Sequence, residues 1–157
     1  MKSRKNKVFQ DLKTSKEFLG FTKDIIIGLE IHVELNTNTK MFCACKTKGN
    51  DEPNSRTCPV CLGHPGSKPV ANKKAIDYAI KLATALNCKI AKNVIFSRKS
   101  YFYPDLAKNY QITQYEEPIG TNGYIKIGKQ KIGIERVHIE EDPASLIHPG
   151  GLTNSKF

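Results

Sequence analysis

Two pairs of cysteines lie close together in the stretch FCACKTKGNDEPNSRTCPVCLG, residues 42–63. Cys43, Cys45, Cys58 and Cys61 follow the pattern C-x-C-x12-C-x2-C. This spacing lets one loop place four thiolates around a tetrahedral zinc ion. Four protein ligands leave no open position for water or substrate, so the sequence predicts a structural zinc site. The alternatives are a site that holds no metal and a pair of disulfides, which a reducing cytoplasm disfavours.

The composition is that of one globular domain, with 157 residues, 39% of them hydrophobic and 25% charged. The formal net charge of +10 favours nucleic acid or a nucleotide as the partner class. Residues 1–24 are basic and lack the apolar run of a secretory signal, and no membrane-length apolar segment follows. We therefore expect a cytoplasmic protein without membrane contact, with a basic amino-terminal extension at 1–24 and an ordered domain at 25–157.

A strand is predicted for LEIHVEL, residues 29–35, because apolar and polar residues alternate without a break. Its polar face carries Glu30 and His32, and a second acidic segment, HIEEDP, carries Glu140 and Glu141. If the two segments are neighbours, these four side chains form one Mg²⁺ site, because Mg²⁺ prefers oxygen ligands. For the strand taken alone, a solvated polar face is the more common explanation.

A helix is predicted over KKAIDYAIKLATALN, with Asn72 as its cap. Short apolar runs at NVIF and YQITQY, a turn at Asn122-Gly123, and the runs YIKI and KIGIERVHIEE joined through Gly128 predict antiparallel hairpins. The fold class expected is therefore α+β. The helix should bury an apolar stripe made of Ile76, Ala79, Ile80, Ala83 and Leu86.

The segment RKSYFYPDLAKNYQ alternates cations with aromatic rings. Such a pattern can hold phosphates and stack bases. A loop with ordinary core aromatics is an equally good explanation of the composition. The sequence contains neither G-x-x-x-x-G-K-[ST] nor G-x-G-x-x-G, so a nucleotide would be bound without a standard phosphate loop.

Several segments in order and spacing resemble the amino-terminal part of the GatB family, one of the subunits of the tRNA-dependent amidotransferases, with its archaeal relative GatE. They are IGLEIHVEL, KMFCAC, CPVCLGHPGSKPVANKKAI, RKSYFYPD, YQITQYEEPIG and VHIEEDP. The resemblance runs from about residue 25 to the last residue. It implies a catalytic domain of glutamine synthetase or guanido kinase type, a curved and mainly antiparallel sheet backed by helices, with the zinc loop inserted at 42–63.

The resemblance also implies an activity, that of a glutamine-hydrolysing aminoacyl-tRNA amidotransferase, a carbon–nitrogen ligase. Such an enzyme uses ATP and Mg²⁺ to phosphorylate the side-chain carboxylate of misacylated Glu-tRNA(Gln) or Asp-tRNA(Asn). Ammonia then converts the product to Gln-tRNA(Gln) or Asn-tRNA(Asn). The implied partners are a GatA-like glutaminase subunit and a small GatC-like linker subunit. Family members continue well beyond Phe157, so we expect a truncated domain that is inactive alone.

Site residues follow from the same resemblance. It nominates Glu30, His32, Glu140 and Glu141 as Mg²⁺ ligands. For contacts to ATP or to the aminoacyl end of the tRNA, it nominates Lys99, Tyr101, Tyr103, Asp105 and Lys108. The alternative function is a non-enzymatic zinc-ribbon module that binds nucleic acid through its positive charge. That alternative leaves the two acidic segments unexplained, since carboxylates without a metal repel phosphate.

Overall fold

The computed structural model describes residues 28–49, 52, 54–104 and 106–142. The chain divides into two compact units, Met1–Glu34 and Leu35–Phe157. The second unit contains one helix and five strands within the described residues. They are α1 (Lys73–Ala85), β1 (Lys89–Ile90), β2 (Ser97–Ser100), β3 (Tyr110–Thr113), β4 (Gly120–Ile127) and β5 (Gln130–Val137). Nowhere in the described ranges is there a helix with both the length and the apolar character needed to cross a membrane.

The first unit is described from Gly28 onward, and it does not contain the predicted strand. No strand is formed between Gly28 and Glu34. The apolar side chains of the alternating pattern lie in solvent, with Leu29 88%, Ile31 81% and Val33 55% exposed. The prediction of a half-buried strand is therefore wrong for these residues. Alternation fixes which residues would share a face, but a strand forms only where a neighbour accepts its backbone hydrogen bonds.

Helix α1 begins where the sequence predicted, because Asn72 caps it. The Asn72 side-chain oxygen accepts hydrogen bonds from the backbone N–H groups of Lys74, at 2.9 Å, and Ala75, at 3.4 Å. The side-chain amide of the same residue donates to the carbonyl and the hydroxyl of Thr39, at 3.0 and 2.9 Å. Asn72 therefore both starts the helix and ties it to the segment that leads into the cysteine loop.

Replacing Asn72 with alanine is expected to lower the free energy of unfolding by about 1–2 kcal/mol through loss of the cap alone. An Asn72→Asp variant keeps the capping oxygen but loses the amide donor to Thr39, so we expect an intermediate loss. Urea unfolding of the purified chain measures both, with Asn93→Ala, at an exposed bend, as the control expected to change stability by less than about 0.5 kcal/mol. Equal stability of Asn72→Ala and the parent chain would contradict the capping role.

The buried face of α1 differs in part from the predicted stripe. Ala79 and Ala83 are buried as predicted, but Ala75 is buried as well and Ile80 is 37% exposed. The helix therefore packs through small side chains. Its neighbours in the core are Ile119 and Ile139, which are 2% and 5% exposed.

The described strands form two antiparallel sheets. Strands β1, β4 and β5 pair in the order β1-β4-β5, while β2 pairs only with β3. The β4–β5 hairpin turns at Gly128, whose φ of +59° suits glycine, and this confirms the predicted connection. The predicted turn at Asn122-Gly123 is wrong, since both residues lie inside β4.

Asn122 nevertheless adopts a left-handed φ of +53° within the strand. The next residue, Gly123, packs directly against the Cys88 sulfur and the Leu86 carbonyl, where a Cβ would collide. The Tyr124 N–H then donates to the Leu86 carbonyl at 2.8 Å. The Asn-Gly pair therefore fits β4 beneath the carboxyl end of α1 instead of reversing the chain.

The α+β class and the antiparallel pairing are confirmed by this arrangement. Two separate sheets and one helix are present in the described part of the chain, where the resemblance to the family implied one curved sheet backed by helices. The glutamine synthetase or guanido kinase type of fold stays a prediction.

Candidate functional site

The four predicted zinc ligands come together in the second unit. All four Sγ atoms lie within 4.8 Å of one another. Cys61 is central, with its sulfur 3.3 Å from that of Cys43, 3.7 Å from that of Cys58 and 3.8 Å from that of Cys45. The described residues contain no other group of three or more His, Cys, Asp or Glu side chains close enough to share an ion. The prediction of one four-cysteine cluster is therefore confirmed.

These distances fit a tetrahedral metal. A Zn–S bond of about 2.3 Å places the sulfurs of a tetrahedral site about 3.8 Å apart. Two of the three separations from Cys61 match this value, and the third is 0.5 Å shorter. The cluster therefore suits zinc held by four thiolates, and it would hold the ion structurally because every position is filled by the protein.

The thiols of the cluster are unequal. Burial raises the pKa of Cys43 to about 12, and burial also raises the pKa of Cys45. The backbone N–H of Cys61 lowers the pKa of Cys58 to about 7 by donating to its sulfur. Cys58 therefore ionises more easily than Cys43 and Cys45, and a metal ion would displace protons from those two thiols on binding.

Two short backbone elements position the cysteines. The strand bridge between Thr39 and Lys46, with the Lys40 N–H donating to the Cys45 carbonyl at 2.9 Å, closes a small hairpin. Its tip carries Cys43 and Cys45. On the other side, the Leu62 N–H donates to the Cys58 carbonyl at 3.1 Å and closes a turn that presents Cys58 and Cys61. Local hydrogen bonds thus form each half of the cluster separately.

The cysteine loop contacts the segment that carries the predicted pocket residues. Gly63, two residues after the last cysteine, has a φ of +66°, and its Cα packs against the side chain of Lys108 so closely that a Cβ would collide with it. On another side, the rings of Phe42 and Phe96 meet edge to face, with centroids 5.2 Å apart. The cysteine loop therefore packs against the β2–β3 region and supports it.

The connection between β2 and β3 gathers most of the pocket candidates. The rings of Tyr101 and Tyr103 stack at 5.8 Å with an interplanar angle of 12°. Lys99 Nζ lies 5.9 Å from the centroid of Tyr101, and Lys108 Nζ lies 5.0 Å from that of Tyr110. Cations and aromatic faces therefore alternate in space as well as in sequence.

The acidic segment lies beside the same sheet. In the β2–β3 register, Lys99 pairs with Gln111 and Ser97 pairs with Thr113, so the four side chains share one face. The Gln111 amide donates to the Glu141 carbonyl at 2.7 Å, and the Thr113 hydroxyl donates to the Glu140 carboxylate at 3.1 Å. The Glu140 carboxylate thus contacts a side chain of the sheet face that carries Lys99.

The two carboxylates of that segment have different partners. Glu141 is bound by Lys108, whose Nζ lies 2.5 Å from Oε1 and 2.6 Å from Oε2, and it also accepts from the Ile112 N–H at 2.7 Å. Glu140 Oε2 lies 3.5 Å from His138 Nε2. A metal at Glu141 would therefore have to displace the Lys108 ammonium, whereas Glu140 faces a hydroxyl and an imidazole.

Three predicted site residues remain, Glu30, His32 and Asp105. Glu30 and His32 belong to the first unit, where Glu30 Oε1 lies 4.0 Å from His32 Nε2 and both side chains are largely exposed. A joint Mg²⁺ site of these two residues with Glu140 and Glu141 stays a prediction. Asp105 lies outside the described residues.

Two further side chains near this site were not among the nominated site residues. The Arg98 guanidinium lies 4.9 Å from the centroid of Tyr110, which adds a cation to the β2–β3 region. Gln114 is 2% exposed, and its oxygen accepts from the N–H groups of Ile119, at 3.2 Å, and Ile139, at 3.1 Å. Gln114 thereby fixes the residue that precedes the acidic pair. No local pattern marks an isolated glutamine as buried.

Comparisons with known proteins agree with the resemblance noted in the sequence. Residues 25–156 match the family model of the GatB/GatE catalytic domain. The chain is similar to proteins named as the GatB-type subunit of aspartyl/glutamyl-tRNA(Asn/Gln) amidotransferase. The protein from Carboxydothermus hydrogenoformans is 58% identical over 138 residues, which cover 85% of this chain and 29% of the relative. The one from Persephonella marina is 56% identical over 132 residues, covering 82% and 28%.

An archaeal relative is nearly as similar. The protein of the same name from Methanoregula boonei is 51% identical over 140 residues, which cover 85% of this chain and 29% of the relative. The chain thus spans less than a third of the length of these relatives. Because the family model covers most of the sequence, the chain belongs to the GatB/GatE catalytic domain family.

Proposed function

We propose that the chain acts as part of a tRNA-dependent amidotransferase. In this reaction a side-chain carboxylate of Glu-tRNA(Gln) or Asp-tRNA(Asn) attacks the γ-phosphate of ATP and releases ADP. Ammonia then attacks the acyl carbon of the acyl phosphate, releases phosphate and leaves the amide. The observation that supports this proposal most directly is the family match over residues 25–156.

The β2–β3 face suits the first step. Phosphoryl transfer needs positive charge around the transferred group and little covalent chemistry from the protein. Lys99 is exposed on the face that also holds Glu140. We assign Lys99 to the phosphate oxygens and Glu140 to Mg²⁺, which would neutralise phosphate charge. The resemblance to the family also nominates Glu30 and His32 as Mg²⁺ ligands. The stacked Tyr101 and Tyr103 provide an aromatic surface for the aminoacyl end of the tRNA.

We assign Lys108 and Glu141 a role different from the one that the resemblance implied. Because they bind each other, we assign them to holding the β3 edge and the acidic segment together. A glutaminase partner subunit would supply the ammonia, and a small linker subunit would join that partner to this protein. The complex would work in the cytoplasm. The zinc-ribbon alternative is less well supported, since the family to which the chain belongs is named as a catalytic domain.

The assignment is tested in the full-length protein assembled with its partner subunits. Lys99→Ala and Glu140→Gln are each expected to reduce phosphorylation of glutamyl-tRNA by at least about 100-fold, the range typical of lost electrostatic stabilisation. Transfer of labelled γ-phosphate from ATP measures this step. Binding of the tRNA, measured by filter retention, should change by less than about threefold, because one side chain supplies only a small part of the charge contacts to a long polyanion.

Lys126→Ala is the matched control, since Lys126 is exposed on the β4–β5 hairpin. It should leave phosphorylation unchanged. Normal turnover in both Lys99→Ala and Glu140→Gln would overturn the assignment of the pocket. Loss of tRNA binding without loss of phosphorylation at saturating tRNA would instead support a role in binding nucleic acid alone.

A further inference from the structure

Lys40 lies beside the cysteine cluster. Its Nζ is 3.7 Å from the sulfur of Cys61 and 2.8 Å from the backbone carbonyl of Arg56. The sulfur of Cys61 in turn lies within 3.8 Å of each of the other three sulfurs. The ammonium is therefore positioned to donate a hydrogen bond to one of the four sulfurs.

The backbone of Lys40 is held on both sides. Its N–H donates to the Cys45 carbonyl at 2.9 Å, and its carbonyl accepts from the Asn72 side chain at 3.4 Å. The side chain is partly buried, and its ammonium donates to the carbonyl of Arg56, which lies between the two cysteine pairs in the sequence. Lys40 thus connects the hairpin of Cys43 and Cys45 with the segment that leads to Cys58.

Charge explains why a cation at this position matters. A zinc ion with four thiolates carries a formal net charge of about −2. Partial burial makes such a charge costly unless a cation or hydrogen-bond donors compensate it. An ammonium that donates to a thiolate removes part of the excess charge, and groups of this kind around a metal site commonly change its affinity by about 10–100-fold.

We propose that Lys40 is a positioning residue of this metal centre, where its ammonium donates to the Cys61 thiolate and increases the retention of the metal. The inference rests on the prediction that the cluster holds a metal. It goes beyond that prediction because it assigns a role to a residue that is not a ligand. The donation also lowers the energy of the sulfur lone pairs, which gives the role a spectroscopic signature.

Cobalt(II) bound to the purified full chain is the probe. In the Lys40→Met variant, the sulfur-to-cobalt charge-transfer band should move to longer wavelength, because removing the donor raises the energy of the sulfur electrons. Competition with a chromophoric chelator should show a Kd for zinc about 10–100-fold weaker than in the parent chain. The stoichiometry should stay near one metal per chain, since all four ligands remain.

Two variants serve as matched controls. Lys40→Arg should recover most of the affinity because it keeps a charged donor, and Lys46→Met, at an exposed position of the same hairpin, should behave like the parent chain. A purely structural role for Lys40 would lower the unfolding midpoint of the metal-free chain without moving the cobalt band. An unchanged band and an unchanged Kd in Lys40→Met overturn the inference. Failure of the parent chain to bind zinc or cobalt overturns both it and the proposed metal centre.

Discussion

Replacing Cys61 with serine is expected to abolish zinc binding by the chain. Its sulfur lies within 3.8 Å of the other three, so a hydroxyl at this position shortens the ligand and leaves three thiolates around an incomplete site. A ligand that binds only the folded state stabilises it, by about 4.1 kcal/mol when its free concentration is 1,000 times Kd. We therefore expect the free energy of unfolding to fall by about 4 kcal/mol in the presence of excess zinc.

Metal content by mass spectrometry and urea unfolding with and without a chelator measure these two effects. The parent chain should contain about one zinc, and the chelator should destabilise it to the level of Cys61→Ser. Cys88→Ser is the control, since Cys88 lies outside the cluster, and it should keep the metal. A Cys61→Ser variant with a full metal content, or a parent chain that the chelator does not destabilise, would contradict the structural role.

Features that depend on short stretches of chain were predictable. The cysteine spacing specified the cluster because each half is closed by local hydrogen bonds, such as that from Leu62 to Cys58. The cap at Asn72 was predictable because an N-cap acts on the next three residues. Neither feature requires knowledge of which strands are neighbours.

Features decided by distant contacts were not predictable. An Asn-Gly pair is a strong turn signal, yet Asn122-Gly123 lies within β4 because Gly123 packs against Cys88 and Leu86, which are more than thirty residues away. Similarly, alternation predicted a strand at 29–35, but pairing is a property of the neighbour as well as of the sequence.

In the candidate site, too, the residue types were predictable and the contacts between distant residues were not. The sequence selected both Lys108 and Glu141 as site residues, but it gave no reason to expect that they bind each other. Their contact depends on the acidic segment lying beside β3, where the Glu141 N–H donates to the Ile112 carbonyl at 3.1 Å. Strand order determines this neighbour relation, and a single sequence does not encode it in any local pattern.

The Lys108–Glu141 pair leads to the second large prediction. The Lys108 side chain is 5% exposed and that of Glu141 is 16% exposed, so both charges are largely removed from water. Removing one partner of such a pair leaves an uncompensated charge and commonly costs about 3–5 kcal/mol. We expect Lys108→Met to lower the free energy of unfolding by about 3 kcal/mol, which is the lower end of that range. The loss is smaller because the Glu141 carboxylate still accepts a hydrogen bond from the Ile112 N–H and remains in partial contact with water.

A double-mutant cycle separates the pair from its surroundings. Gln at position 141 is neutral and still offers an oxygen to the Ile112 N–H, so Lys108→Met combined with Glu141→Gln should recover most of the stability lost in Lys108→Met. Urea unfolding of both single variants and the double variant gives the coupling energy, with Lys126→Met as an exposed control. A coupling energy near zero would show that the ammonium and the carboxylate do not depend on each other. Lys108 and Glu141 would then be available to ATP and Mg²⁺ as the resemblance to the family first implied.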